Sequence, residues 1–152
     1  VTVIENGHPY EVTTYRIDGE YKDNRHPVSI IYTKNIVNDL SRRDFTVNAM
    51  AYNDKDGIVD AFSGVEDLDA KLIRCVGDPE VRFDEDALRV LRGIRFSSVL
   101  DFDIEEQTDI AIRKYAKRLE TISKERIFVE WKKLLSGVRA YDIIKNYFSN
   151  NN

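Results

Sequence analysis

One cysteine, Cys75, stands among the 152 residues. A lone cysteine excludes an intrachain disulfide framework and a cysteine-rich zinc site. The two histidines, His8 and His26, have no nearby ligand pattern and read as polar loop residues. No apolar run approaches the roughly 20 residues needed to cross a bilayer, and the start shows no signal-peptide pattern. A reducing cytoplasm fits these absences. Excess positive charge is missing too: the formal net charge is -4, which excludes a globally basic nucleic-acid binder. Local basic clusters still act on phosphates, because steering depends on where charge sits. There is no internal repeat, and no low-complexity segment apart from the polar tail 149–152. Aromatics are not scarce. At 11%, with 42% hydrophobic and 33% charged residues, they indicate a folded chain rather than a disordered one. Its length suits one ordinary domain or two small ones sharing an interface. The first residue is Val1, not Met, and Val1 to Ile4 is already strand-like. The sequence therefore reads as truncated at its N-terminus.

The first half reads as β-rich. Residues 1–4 and the β-branched, aromatic run 10–16 suggest a hairpin around the turn residues Glu5-Asn6-Gly7. Residues 18–27 read as a mobile polar loop and 28–32 as a strand. Residues 36–40 suit a helical turn. Residues 46–52 suit a short helix with Thr46 as its N-cap. After the turn 54–57, short strands are expected at 58–60 and 72–75, around a short helix at 64–70. Gly77-Asp78-Pro79 is the clearest punctuation. Beyond it the period becomes helical. Ala87, Leu88, Leu91 and Ile94 predict a helix over 84–96 with Asp84 as N-cap. Further helices are expected over 104–119, after Ser123 with Ile127, Trp131, Leu134 and Leu135 on one face, and over 139–148. The division falls near residue 77, between a partial α+β unit at 1–76 and a helical unit at 77–152.

Two segments carry chemistry. Arg42 and Arg43 sit just before an expected helix start, where guanidinium forks and helix amides suit phosphate or ribose oxygens. Asp44 is placed to fix one arginine. The competing reading is a solvated Arg-Arg pair with a structural Arg-Asp bridge. In the second segment, Asp86 and Arg89 are three apart and would share a helix face. An acceptor and a donor together suit the edge of a base. Ordinary pairing of Arg89 with Asp86 or Glu85 is the alternative. Arg92 and Arg95 continue the spacing, but drift carries Arg95 nearly opposite Asp86. Arg92 is placed to reach a triphosphate. Arg95 is carried as a contact to a neighbouring element or to phosphates from the side. Lys114, Lys117, Arg118, Lys124, Arg126, Lys132 and Lys133 make the helical half locally basic. They suit either a solvated face or an RNA backbone.

The stretch Arg42-Arg43-Asp44-Phe45-Thr46-Val47-Asn48-Ala49-Met50-Ala51 resembles motif B of the class II tRNA nucleotidyltransferase and poly(A) polymerase family. Residues 14–21 and Arg25-His26-Pro27 resemble the strand and flexible loop before that motif. Asp60-Ala61-Phe62-Ser63-Gly64 and Leu72-Ile73-Arg74 resemble the segment after it. Glu85-Asp86-Ala87-Leu88-Arg89-Val90-Leu91-Arg92 resembles motif D, and Ile122-Ser123-Lys124-Glu125-Arg126-Ile127 resembles motif E. The match runs in order from about residue 10 to about residue 136.

The resemblance implies an α+β fold: part of a nucleotidyltransferase head, with a short mixed or antiparallel sheet, joined to a helical neck. It implies addition of C and A to the tRNA 3′ end from CTP and ATP, with release of pyrophosphate and bases chosen by a protein template. Arg42, Arg43, Asp44, Asp86, Arg89, Arg92 and Arg95 would bind nucleotide. An A-adding enzyme or poly(A) polymerase of the same family is an alternative. A non-catalytic nucleotide- or RNA-binding module is another, from a different class. The family's Mg2+ ligands, an Asp-x-Asp pair on a strand, would precede Val1, and nothing here matches them. Asp54-Lys55-Asp56 has the spelling but sits in a turn. Glu11 would share a strand face with Thr13 and Tyr15 and is carried as a metal-supporting carboxylate. The 152 residues alone are expected to be inactive, to hold no cofactor tightly, to bind tRNA weakly, and to risk self-association through exposed strand edges.

Overall fold

The computed structural model describes residues 1–19, 21 and 27–149. Most of the expected loop 18–27, with Arg25 and His26, lies outside the described residues. Asn6 and Gly7, both at positive φ, form the two-residue Asn-Gly turn that matches strand twist. They join β1 (Thr2–Glu5) to β2 (His8–Glu11) in an antiparallel hairpin. The expected strand 10–16 is divided. Its pairing with β1 ends at Glu11, while β3 (Arg16–Asp18) pairs with β4 (Ile30–Tyr32). Propensity marked the run as extended but not where its partner changes. Glu11, Thr13 and Tyr15 therefore share no strand face.

The helix α1 (Ile36–Ser41) is capped by Asn35, whose Oδ1 accepts from the Val37 amide. Thr46 is not the cap of a helix reaching 52. Residues Thr46–Asn48 form one 3-10 turn, and Met50–Asn53 is strand β5, paired with β6 (Gly57–Asp60). The Thr46 hydroxyl donates instead to buried Asp67, 2.7 Å away. The two Asp60 oxygens accept the backbone amides of Phe62, Gly64 and Val65, which starts α2 (Gly64–Asp69). Strand β7 (Leu72–Ile73) pairs in parallel with β8 (Asp103–Ile104).

The helix expected over 84–96 is two helices. Asp78 caps α3 (Pro79–Glu85) with Pro79 at its start, and α3 ends at Asp86, which is extended. Then α4 runs Leu88–Leu100. Asp84 is thus near the end of α3 and caps nothing. The next helix, α5, is Glu106–Tyr115, and Ile104 belongs to β8. A 3-10 segment, Ala116–Thr121, leads to α6 (Lys124–Leu135) behind Ser123, and α7 is Ala140–Phe148. Leu134 is buried on α6, whereas Leu135 is 56% exposed.

The main core joins Phe45, Ile73 and Cys75 to Phe83, Val90, Leu91, Ile94, Ile112, Leu134 and Ile143. It therefore draws on both sides of residue 77. Gly93 makes this possible: a Cβ there would lie 3.0 Å from Phe45 Cζ. Its absence lets α4 approach the segment that carries Arg42 to Asp44. Cys75 is a buried thiol, pushed up to about 12 by burial. No helix among the described residues is long and apolar enough to cross a membrane.

Candidate functional site

An open cleft of about 430 Å3 lies where the end of α1, the start of α4 and the first turn of α6 converge. Arg42, Arg43, Asp44 and Asn48 form one wall. Asp86, Leu88, Arg89 and Arg92 form another, and Arg126 closes the side. Five arginines face two aspartates, so the lining is strongly cationic. A cationic concavity with few apolar atoms suits a polyanion better than a neutral ligand.

Carboxylates behind the wall hold the arginines in place. Asp39 on α1 is three residues before Arg42 and four before Arg43, so helix geometry brings all three together. Asp39 Oδ1 accepts from Arg42 Nε and Nη2 at 3.0 and 2.7 Å, and Oδ2 accepts from Arg43 Nη2 at 3.3 Å. Burial opposes the Asp39 charge, but the Arg42 bond, the Arg16 amide and Arg43 outweigh it and hold the carboxyl below the usual range. Asp44 was expected to fix Arg42 or Arg43. It fixes Arg92 instead, at 2.7 Å from Nε and 2.6 Å from Nη2. The Phe96 ring also lies 5.5 Å from the Arg92 guanidinium.

Asp86 and Arg89 both line the cleft but do not sit on one helix face. Asp86 is the junction between α3 and α4. Its Oδ1 accepts from the Leu88 amide, the first of α4, at 3.0 Å; its Oδ2 accepts from Arg126 Nη2 at 2.8 Å. Arg89 pairs with Glu85, and its Nη2 donates to the Arg42 carbonyl at 3.1 Å. That last bond ties the two walls together. Anchored at several points, Arg89 and Asp86 lose little freedom when a ligand arrives.

Arg95 is not part of this lining. Its Nε donates to buried Glu130 at 3.0 Å, and its guanidinium lies 3.5 Å from the Phe96 centroid. It binds α4 to α6. Glu11 is exposed in the first hairpin, apart from the cleft. Among the described residues, no three His, Cys, Asp or Glu side chains come together to hold a metal ion. Three contributors were not expected in this lining or behind it, Arg126 having been placed only in the basic cluster of the helical half. Asn48 lies inside the motif B stretch. Arg126 lies inside the motif E stretch, 40 residues from its partner Asp86. Asp39 had a legible signal, its spacing to the two arginines.

Comparison with known proteins gives a consistent result. Residues 1–74 match the poly A polymerase head domain, and residues 101–149 match a probable RNA and SrmB-binding site of polymerase A. The chain is 51% identical over 135 residues to the CCA-adding enzyme of Streptococcus mutans, covering 89% of this chain and 34% of that protein. Its fold resembles the Bacillus stearothermophilus CCA-adding enzyme in complex with CTP. The TM-score is 0.84 and the identity 40%, over 95% of this chain and 35% of that one. The Thermotoga maritima CCA-adding enzyme complexed with tRNA-CCA matches 74% of this chain and 29% of its own, at 35% identity and a TM-score of 0.65. The chain thus spans about a third of the length of the relatives it matches.

Proposed function

The chain belongs to the class II tRNA nucleotidyltransferase and poly(A) polymerase family, and from that premise we propose that it is the nucleotide-selecting part of a CCA-adding enzyme. The whole enzyme would extend the tRNA 3′ end with C and A from CTP and ATP. In each step the terminal hydroxyl attacks the α-phosphorus, a new O–P bond forms, the bond to pyrophosphate breaks and the hydroxyl proton leaves. The cationic cleft with Asp86 held in its lining by Arg126 is the observation that carries this reading.

Roles follow from the chemistry of the lining. Arg42, Arg43 and Arg92 would take phosphate and ribose oxygens, with Asp39 and Asp44 orienting them. An ionised carboxylate only accepts hydrogen bonds, and each oxygen accepts more than one. Asp86 would therefore receive the exocyclic amino group of cytosine or adenine beside its bonds to Arg126 and Leu88. The Arg89 Nη2 group has two protons and gives one to the Arg42 carbonyl; the other would reach the adjacent ring nitrogen. Uracil and guanine carry a carbonyl oxygen where cytosine and adenine carry the amino group, and would set acceptor against acceptor. One fixed pair thus admits C and A and rejects U and G.

Nucleotidyl transfer in this family uses metal ions, and Mg2+ suits carboxylate oxygens. The described residues do not assemble such a site. We place it, with the Asp-x-Asp pair, in a part of the longer enzyme outside these 152 residues. The supporting role of Glu11 stays a proposal tied to that pair. The chain alone would then bind nucleotide without adding it. Its compartment is taken as the reducing cytoplasm, which suits a buried free thiol.

Calorimetric titration of the chain with the four nucleoside triphosphates tests the selection. CTP and ATP should bind at least about tenfold tighter than UTP and GTP, the scale of a good base-edge contact. Asp86→Ala should flatten that preference more than it weakens binding of inorganic triphosphate. Equal affinity for all four nucleotides, or an equal loss for all four in Asp86→Ala, would sink the selecting role. CMP incorporation into tRNA by the chain alone would contradict its proposed inactivity.

A further inference from the structure

Phe96 stands between two arginines of α4 whose surroundings differ. It is four residues after Arg92, so one turn of helix puts both on the same edge. The Arg92 guanidinium lies 5.5 Å from its ring centroid, and that of Arg95 lies 3.5 Å away. Each arginine has its own carboxylate: Arg92 bonds Asp44, and Arg95 bonds Glu130 on α6. Both carboxylates are buried. The arginines are not buried alike. Arg95 keeps 12% of its side chain exposed, whereas Arg92 keeps 33% and lines the cleft. The ring between them is held as well. It meets the fully buried Phe45 ring edge-on, at 5.7 Å between centroids and 76° between planes, and it packs against the main core.

A long arginine side chain has several rotatable bonds, and one anchor leaves it free to swing about that anchor. Asp44 takes Nε and Nη2 of Arg92, which fixes one edge of the guanidinium. The ring supplies a second restraint, because an aromatic ring attracts a cation. Arg95 would compete for the same ring and the same Asp44 if it were loose, since both Asp44 and Arg92 bear on its charge. Glu130 prevents this by holding Arg95 back towards α6. We propose that Phe96 is a positioning residue for nucleotide binding: its ring, clamped from behind by Arg95 and Glu130, aims Arg92 at the triphosphate. The inference rests on the reading of Arg92 as a phosphate contact. It does not rest on base selection by Asp86 and Arg89.

A double-substitution cycle tests it, read by calorimetric titration of the 152-residue chain with CTP and with inorganic triphosphate. Phe96→Leu should weaken both ligands by about two- to fivefold, the scale of one cation–ring contact at a partly exposed site. Phe96→Tyr keeps the ring and should restore both affinities. The ratio of CTP to UTP affinity should not move. On an Arg92→Gln background, Phe96→Leu should cost nothing further, because the group it aims is gone. An equal loss with and without Arg92 would overturn the proposal, since the ring would then act by packing alone. So would full triphosphate affinity in Phe96→Leu, or a loss that Phe96→Tyr leaves in place. If Phe96→Leu does not fold, Glu130→Gln takes its place in the cycle, as it removes the clamp without removing packing. A loss confined to the chain that keeps Arg92 would then support the proposal, and an additive or absent loss would overturn it. Unchanged triphosphate affinity in Arg92→Gln would overturn both this inference and the phosphate role of Arg92. Equal affinity of the unsubstituted chain for CTP and UTP would count against base selection alone.

Discussion

Asp39 is 5% exposed, yet it stays charged because two guanidinium groups and the Arg16 amide surround it. A buried carboxylate kept ionised in this way stabilises the fold with a definite pH sign. Its folded pKa is depressed, so its contribution is present above the unfolded value of about 3.9 and is lost as pH falls through the folded value. Asp39→Asn keeps the shape but removes the charge, leaving Arg42 and Arg43 facing a neutral amide. At neutral pH this should destabilise the chain by about 1–3 kcal/mol, the range for a hydrogen-bonded charge left unpaired. Urea unfolding at pH 7 and pH 3 measures it. The gap between wild type and variant should be wider at pH 7 than at pH 3 and should close further as pH falls. A gap of constant width would show that Asp39 acts through packing rather than charge. The same substitution should weaken triphosphate binding, since Arg42 and Arg43 would lose the anchor that aims them.

At the scale of elements, the junction of α3 and α4 decides how the cleft works, and there the sequence misleads. Phe83, Ala87, Leu91 and Ile94 keep a helical spacing straight across the break, so periodicity alone joins the two helices. What parts them is side-chain chemistry. The Asp86 carboxylate takes the Leu88 amide and starts a new helix there, as Asp does when it competes with the backbone. The Asp78-Pro79 pair, read only as punctuation, is where α3 starts, because Asp caps and Pro sits without cost in the first turn. Motifs B and D were legible as short strings. Their meeting point was not, because Asp44 reaches Arg92 across 48 residues and Asp86 reaches Arg126 across 40. Arg126 is therefore read as a positioning residue. It fixes the plane of the Asp86 carboxylate while the Leu88 amide fixes its other oxygen. Arg126→Gln should leave the unfolding free energy within about 0.5 kcal/mol of wild type, as a partly exposed pair contributes little. The preference for CTP and ATP over UTP should nevertheless narrow several-fold, with Arg126→Lys restoring part of it. A large loss of stability with preference intact would make the pair structural.

For the whole molecule, the apolar residues are spent unevenly. Phe45, Ile73 and Cys75 join the helices in one core, while the two N-terminal hairpins keep their large apolar side chains exposed. Val3, Ile4, Tyr10, Ile31 and Tyr32 are all exposed, Ile4 at 73% and Tyr32 at 72%. Strand propensity marked residues 1–4, 10–16 and 28–32 as extended and suggested the first hairpin, but it did not give the pairing of the second; propensity describes a pleated, half-buried surface and does not say what covers it. Two-stranded ribbons without a packed face are marginal in water, and their free edges present unpaired amides and carbonyls to any other strand. The β3–β4 hairpin is the more consequential, because Asp18 at its end lies against Arg16 and near Arg42. Disorder in that hairpin would loosen one support of the cleft. The chain alone should therefore self-associate as its concentration rises, through the hairpins and not through the helical half. Light scattering across a concentration series should show mass growing above that of the monomer. Ile31→Lys with Tyr32→Lys should return it to the monomer without moving the unfolding midpoint, since neither side chain is buried. CTP affinity should survive those two substitutions, because the cleft lining comes from α1 onward. Growth of mass that persists in the double variant would move the contact to the first hairpin, where Ile4 and Tyr10 are exposed, or to the α6–α7 end, where Leu135, Val138 and Tyr141 are.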